Sequence, residues 1–454
     1  MKEVKDPIKS GVVLGIHPET HEVIVDDSRD NVLLIGPTRS GKGISTVIPT
    51  ALTWKDSAFF FDPLGEIWHL TAGFRKDGLN QKVLKFSPFS KDASTVRWNP
   101  LAEVRLLPTD YAFLDISNIS TLILSDKNQP ETIYSRCILE SIIYMLLDRH
   151  DKENLPVPSL GTVYDYLFAE DYPIEEILSG IESCPFVPYK EELKKILKCD
   201  EEYRESILAS IKKSLELFND PIIRKNTETS DFALKDLLNP NDKISFYFCM
   251  GVRNIEQTRL LARLFISQLF RCINDISVDN NEQYNKMPHY LMMLDEFPVC
   301  GKIDNMDMFL AYCHEFGVKT CIVCQNVKQL EKLYSVMDST VYDRDFREQN
   351  DVIPFCQLQV YYTPDAYSET ETSEFIYKSM LYPIDKSKGM LFDCPKNHFI
   401  LAREISIMPE NILIILKQGQ WPVNAHKLRY YKYDFFIEGT KFTPPVRSDN
   451  LHEV

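Results

Sequence analysis

No stretch of the 454 residues approaches the ~20 consecutive apolar positions that a membrane-spanning helix needs. Apolar runs such as Leu264–Ile266 and Ile412–Leu416 are of core size, so the chain as given reads as soluble. Low-complexity tracts and internal repeats are also absent, and no secretory leader is expected. Basic residues are in deficit: 51 Lys and Arg against 66 Asp and Glu, a net charge of -15. That argues against nonspecific nucleic-acid binding over the whole surface, while leaving room for a local basic channel. The eleven cysteines are odd in number and scattered, so a disulfide framework is not indicated and a reducing cytoplasm is expected. Their one close pair, Cys321 and Cys324, lies in the apolar run Cys321-Ile322-Val323-Cys324. Positions three apart on a strand point to opposite faces, which favours two buried thiols acting as small hydrophobes over a metal or redox pair.

What is present is a large apolar fraction, 44%, with 26% charged residues. That suffices for a sizeable core and two domains. Short apolar runs without alternation predict buried strands at Asn31–Ile35, Ala58–Asp62, Lys82–Phe86, Ile244–Met250, Tyr290–Leu294 and Thr320–Cys324. Strands covered on both faces of a parallel α/β sheet read this way. Leu261, Leu264, Phe265, Leu269 and Cys272, spaced by three and four, predict a helix. Between about 105 and 235 strand-like runs vanish. Helical spacing replaces them at Ile133, Cys137, Ile138, Ile142, Met145 and Leu146, and at Ile207, Leu208, Ile211, Leu215 and Phe218. The expected architecture is an α/β domain built from 1–104 and 236–454 and interrupted by an all-α insertion at 105–235. A helix at Ser368–Met380 and a strand near Leu428–Tyr433 are expected in the tail.

The strongest motif is Gly36-Pro37-Thr38-Arg39-Ser40-Gly41-Lys42-Gly43, which follows the strand Val32–Ile35 and opens a helical run beginning at Ile44. Strand, glycine-rich turn and helix N-terminus together make a P-loop, in which backbone N–H groups curl around a phosphate and Lys42 reaches the β and γ phosphates of ATP. Gly43 stands where Ser or Thr usually binds Mg²⁺, leaving Ser45 or Thr46 as candidate helpers. The second motif is the apolar strand ending in Asp295-Glu296, a Walker B element. There Asp295 is expected to hold Mg²⁺ through its water shell and Glu296 to polarise the attacking water. Gln325, at the end of the strand Thr320–Cys324, is positioned for the γ-phosphate or the lytic water, or is an ordinary strand-end amide. Asp62 and Glu66 sit near the nucleotide or cap the following helix. His17 and His21 flank Pro18, which argues against a helical zinc pair. The stretch His426–Tyr433 interleaves bases with aromatics and reads as a half-buried strand or as a stacking surface for single strands.

The order of these motifs resembles that of type IV secretion coupling proteins of the TraG/TraD type. The resemblance runs through Gly36–Gly43 with Val47-Ile48-Pro49-Thr50, Asp62–Glu66 with Leu70-Thr71-Ala72-Gly73-Phe74-Arg75, and Trp98-Asn99-Pro100-Leu101. It continues through Leu294–Pro298 and Gln325 to Leu330, and ends at Met408-Pro409-Glu410 and Lys427–Tyr431. It implies a RecA-like motor domain with a mostly parallel central sheet and an inserted all-α domain. The implied assembly is a homo-hexameric ring with ATP and Mg²⁺ at subunit interfaces. It also implies docking at the cytoplasmic face of the bacterial inner membrane, and passage of single-stranded DNA or a relaxase–DNA complex to the secretion channel. A receptor that selects protein effectors and a pump of the FtsK or HerA kind are the competing expectations. Relatives usually begin with transmembrane helices, so either a trimmed chain or reliance on a membrane partner is expected. Leu64 replaces the usual Lys of the Asp-Pro-Lys-Gly-Glu motif. His314 falls where an Arg often precedes the Gln strand, with Arg253, Arg259 and Arg263 as stand-ins.

Overall fold

The structure, a computed structural model of the chain, describes residues 9–106, 109–124, 130–168, 189–251, 255–279, 290–334, 356, 358–362, 409–417 and 423–451. The expected helix at Ser368–Met380, and Met408 and Arg253, lie outside these residues. Two compact units are resolved: residues 1–84, 237–249 and 270–446 form the first, and residues 85–236, 250–269 and 447–454 the second.

The first unit is built on one sheet. Its strands are β1 (Val12–Ile16), β2 (Val23–Asp26), β3 (Val32–Ile35), β4 (Ala58–Phe61), β5 (Lys82–Phe86), β6 (Ile244–Phe248), β7 (Tyr290–Leu294), β8 (Val318–Cys324), β9 (Leu358–Tyr362), β10 (Ile412–Lys417) and β11 (Val423–His426). Their order is β2-β1-β11-β10-β9-β3-β8-β7-β4-β6-β5. The run β9-β3-β8-β7-β4-β6 is parallel, and β2-β1-β11-β10-β9 is antiparallel. Every residue of β3, β4, β6, β7 and β8 is buried, which is why these segments show no polar alternation.

All six strands expected from apolar runs are in this sheet. β8 begins two residues early, at Val318, because Lys319 lies inside it. A lysine is tolerated there because its ammonium is matched by Asp26. One expectation is corrected. The terminal strand lies at Val423–His426, and Tyr430–Lys432 form a 3₁₀ turn. The antiparallel partners of Val423–His426 are β10 and β1, so pairing rather than local β-propensity sets its place.

Helices α1 (Ile48–Thr53) and α2 (Glu66–Gly73) follow β3 and β4. Before α1 the backbone makes a wider π turn over Gly43–Val47, in which the Ile48 N–H bonds the Gly43 carbonyl. Pro49 explains it: it has no N–H for the Ser45 carbonyl and its ring crowds that position.

In the second unit α3 (Thr109–Ile123), α4 (Pro130–Glu153), α5 (Leu160–Phe168), α6 (Lys190–Leu197), α7 (Glu201–Leu215) and α8 (Pro221–Thr227) succeed one another. No strand occurs among the described residues of 105–235. Asp200 and Asp220 cap α7 and α8 by accepting from Tyr203 N and Ile222 N, each at 2.8 Å. The motif around Trp98 is structural here: the indole is fully buried against Phe86 and Phe265, and Asn99 Nδ2 donates to the Pro158 carbonyl at 3.0 Å. The spacing at Leu261–Cys272 falls on α9 (Ile255–Asp279). Helices α10 (Met306–Tyr312), α11 (Val327–Tyr334) and α12 (Asp434–Thr440) complete the described set.

Candidate nucleotide-binding site

The carboxyl ends of β3, β4, β7 and β8 lie side by side because the strands are parallel and in register. The turn Gly36–Lys42, Asp62, Asp295-Glu296 and Gln325 follow those four ends, so the sheet gathers these four motifs on one edge.

The glycine turn is shaped by close approach. A Cβ on Gly36 would lie 2.6 Å from Tyr362 Cβ and 2.7 Å from Ser40 Oγ, so only glycine fits. Gly41 has φ +99°, and Arg39 is left-handed at φ 66°. The Ser40 N–H donates to the Pro37 carbonyl at 3.2 Å, and Ser45 N–H to Gly41 at 2.8 Å. Thr38 and Arg39 are exposed, while Ile44 is half-buried at the start of the π turn. Lys42 is buried, and its Nζ donates to the Gly36 and Pro37 carbonyls at 2.5 and 3.0 Å. Burial lowers its pKa, opposed by the charges of Glu296 and Asp295.

Asp295 keeps some contact with solvent, yet it is enclosed deeply enough that burial pushes its carboxyl up to about 7. Glu296 and Asp62 add to that rise and Lys42 opposes it. Glu296 takes φ 46°, ψ 42°, a left-handed conformation rare for a residue with a side chain. Its Oε2 accepts from Gln325 Nε2 at 3.0 Å, and Gln325 N donates to Gln329 Oε1 at 3.1 Å. The glutamine is thus aimed at the second acid of the β7 pair.

Asp62 caps the following helix, one of its two readings: Oδ2 accepts from Trp68 N at 2.8 Å. Glu66 is exposed in the first turn of α2, and Leu64 is exposed ahead of it. Of the two hydroxyls considered as metal helpers, Thr46 is engaged, with Oγ1 2.5 Å from Tyr362 OH. A side chain at Gly43 would meet nothing within 4 Å.

Several buried polar atoms on these turns have no hydrogen-bond partner among the described residues: Ser40 Oγ, Ser45 Oγ and Asp62 Oδ1. Buried polar atoms are costly without partners, so this edge is built for a polar ligand. Backbone amides and Lys42 suit a polyphosphate, and Asp295 with its neighbouring acids suits a hard divalent cation with its waters. The residues present therefore fit a magnesium nucleotide, short of a hydroxyl at position 43.

Residues without an individual sequence signal complete the site. Tyr362 packs on Gly36 from β9. Lys427, in the basic and aromatic stretch, is buried, with Nζ 5.5 Å from the Tyr362 ring centroid and its stem 3.7 Å from where a Gly41 Cβ would be. Arg75 is fully buried and bonds the Ala51 and Trp54 carbonyls at the end of α1, at 2.7 and 2.8 Å. His17 Nδ1 accepts turn amides from Glu19 and Thr20. Among the described residues, those of this sheet edge included, no group of three or more His, Cys, Asp or Glu side chains is arranged to hold a metal ion, so a cation here would lean on phosphate and water as well. Cys321 and Cys324 are buried, and burial pushes both thiols up to about 12. His314 lies half-buried in the turn Cys313–Phe316, and Arg259 pairs with Glu256 at 2.8 Å.

A family profile described as "Type IV secretory system Conjugative DNA transfer" matches residues 19–342. The conjugal transfer protein TraG of Escherichia coli is 30% identical over 387 residues, which is 82% of this chain and 59% of that protein. Protein VirD4 of Agrobacterium fabrum is 23% identical over 425 residues, covering 90% of this chain and 60% of the relative. The chain thus spans about three-fifths of the length of the curated relatives it matches. Among solved structures, the conjugative coupling protein TrwBdeltaN70 superposes with a TM-score of 0.65 at 13% identity, over 93% of this chain and 90% of that one. TrwB solved with ADP and Mg²⁺ gives 0.64 at 13% identity, over 94% and 97%. The fold is therefore the α/β coupling-protein fold. Among the described residues no helix is long and apolar enough to cross a membrane.

Proposed function

The chain belongs to the type IV secretory system conjugative DNA transfer family, and from that premise we propose that it is an ATP-driven coupling protein. It recruits single-stranded DNA or a relaxase–DNA complex and feeds it to a type IV secretion channel. The observation that carries the reading is the convergence of Lys42, Asp295, Glu296 and Gln325 on one sheet edge, with Gln325 bonded to Glu296 at 3.0 Å. Relatives of the same fold solved with ADP and Mg²⁺, and with a non-hydrolysable ATP analogue, support the choice of ligand.

In this reading the amides of Gly36 to Ile44 cradle the phosphates and Lys42 leaves its carbonyl partners for the β and γ oxygens. Asp295 would hold Mg²⁺ through its water shell, Glu296 accepts a proton from the attacking water, and Gln325 fixes the Glu296 carboxylate and the γ-phosphate. Magnesium, when bound, neutralises charge developing on the phosphate oxygens. Residues 1–104 and 236–454 form the motor, and 105–235 form a helical domain that recognises cargo. The working form is a homo-hexameric ring at the cytoplasmic face of the membrane, held there by channel components or a membrane partner. The net charge of -15 favours one other reading, a receptor that selects protein effectors.

Lys42→Ala and Glu296→Gln test the site. The first loses most ATP affinity in a binding assay. The second keeps ATP affinity and turns over at least ~10²-fold more slowly. Near-normal ATP affinity of Lys42→Ala, or unchanged turnover of Glu296→Gln, refutes the assignment. Stimulation of ATPase by single-stranded DNA separates the translocase from the effector receptor, whose rate DNA leaves unchanged.

A further inference from the structure

Asp62 follows β4 and is fully buried. Parallel pairing of Phe61 with Leu294 makes it the neighbour of Asp295 at the ends of adjacent strands, and the Asp295 N–H donates to the Phe61 carbonyl at 3.1 Å. Its own N–H is tied to Phe248 at 2.9 Å, so the residue is fixed from the β6 side as well.

The two carboxylate oxygens of Asp62 are not equivalent. Oδ2 accepts from Trp68 N at the start of α2. Oδ1 is buried and meets no hydrogen-bond donor among the described residues, while the Ile67 and Gly65 amides, like that of Trp68, favour the charged carboxylate. Holding the helix needs one acceptor, which asparagine supplies without a second charge. An acid here adds a buried oxygen without a donor and places like charge beside Asp295, both unfavourable for folding alone. A hydrated cation between the two strand ends reverses both penalties, because it attracts the charge and its waters donate. The neighbouring loop increases the need. Position 43 is glycine, with nothing within 4 Å of its missing Cβ, and the Thr46 hydroxyl is committed to Tyr362.

We infer that Asp62 is a positioning residue for the metal: its free Oδ1 accepts a hydrogen bond from a water of the magnesium shell held by Asp295, an anchor supplied from β4 where position 43 offers no hydroxyl. The inference rests on the nucleotide reading above, and its test is arranged to fail separately from that reading.

Asp62→Asn keeps an acceptor for Trp68 N and replaces the free oxygen by an amide donor. Two dissociation constants are measured on the full chain. One is for Mn²⁺ in the presence of saturating ADP, from the electron paramagnetic resonance signal of free Mn²⁺. The other is for ADP in excess EDTA, by calorimetry. The expected result is a loss of about tenfold or more in Mn²⁺ affinity, the scale for outer-shell ligand partners, with metal-free ADP affinity within twofold of wild type. Mn²⁺ affinity within twofold of wild type overturns the inference. So do equal losses with and without metal, which mark a general disturbance of the turn. Failure of the wild-type chain to bind ADP in either condition overturns the nucleotide reading itself. Asp62→Ser, which removes the carboxylate while retaining a small capping hydroxyl, is read by the same two constants if the Asn variant does not fold.

Discussion

At Glu296 the backbone and the proposed chemistry pull in opposite directions. A left-handed residue with a Cβ costs about 1–2 kcal/mol relative to glycine at the same place. Glu296 adopts that conformation at φ 46°, and its side chain then meets Gln325. Glu296→Gly should therefore raise stability by about 1 kcal/mol in urea unfolding while abolishing ATP turnover, whereas Glu296→Gln leaves the strain in place and stability nearly unchanged. A destabilised glycine variant would show that the Gln325 contact outweighs the strain. The identity of this residue was legible in the sequence, because an apolar strand ending in two acids is a compact signal. Its conformation was not, since φ at a strand end depends on the turn that follows. The role of Asp62 was half legible for a similar reason: spacing allowed both a cap and a site, and only the unequal surroundings of its two oxygens show that one does not exclude the other.

At the scale of elements, the helix behind the glycine turn is held by a buried cation that bonds backbone carbonyls and a serine hydroxyl. Arg75 bonds Ser245 Oγ at 2.5 Å and the Ala51, Trp54 and Asp56 carbonyls at 2.7, 2.8 and 2.8 Å, and its guanidinium lies 5.1 Å from the Phe60 ring centroid. Burial lowers its pKa to about 10, so it stays charged at neutral pH. Lysine cannot reproduce this fork, and Arg75→Lys should cost about 2–4 kcal/mol through unsatisfied carbonyls. A loss under about 1 kcal/mol in chemical denaturation would mean that water enters and replaces the bonds. The apolar run placed β4, but nothing in the sequence separated this arginine from an exposed one, because its partners are carbonyls and a serine hydroxyl of other elements.

A second fastening ties β2, β8 and β10 together. Lys319 Nζ lies 2.5 Å from Asp26 Oδ2 and donates to the Ser28 and Asp30 carbonyls, while Lys417 reaches Asp26 and Asp30 at 3.1 and 3.2 Å. Burial alone would raise the Asp26 carboxyl. The charge and hydrogen bond of Lys319, with bonds from Ser28 and Lys417, outweigh it and hold the pKa below its ordinary 3.8. A depressed acid contributes stability that is present above its unfolded pKa and is lost as pH falls through the folded value. Asp26→Asn should therefore cost about 3–5 kcal/mol at pH 7, where it strands a buried ammonium, and the gap to wild type should narrow below about pH 4. A gap independent of pH would place its origin in packing rather than charge. Neither lysine was readable as part of this network: a charged residue inside an apolar run only masked the first two residues of β8.

At the scale of the whole molecule, the parallel half of the sheet was the legible half, because strands buried on both faces announce themselves by composition. The antiparallel half was not, since β1 carries a glycine, Gly15, and β11 is half-exposed, so both depend on partners distant in sequence. The proposed function carries one deficit up to this scale. Among the described residues the cation acting on Asp295 is Lys42, and one lysine leaves part of the transition-state charge unmatched. P-loop enzymes commonly draw a further positive charge from an arginine across an interface, worth ~10³ to 10⁵ in rate. His314 lies half-buried in the turn Cys313–Phe316, and Arg259 is already paired with Glu256. Hydrolysis should therefore depend on assembly. ATPase per subunit is expected to be feeble at low protein concentration, to rise more than linearly with concentration, and to rise further when single-stranded DNA gathers subunits onto one strand. The check is a dilution series over at least ~10²-fold in concentration, with and without DNA, read alongside the mass of the species by light scattering. A fast rate per subunit that stays constant through dilution to the monomer would mean that one subunit holds a complete site, and the search for the missing charge would then return to Lys427 and Arg39, which lie against or within the glycine turn.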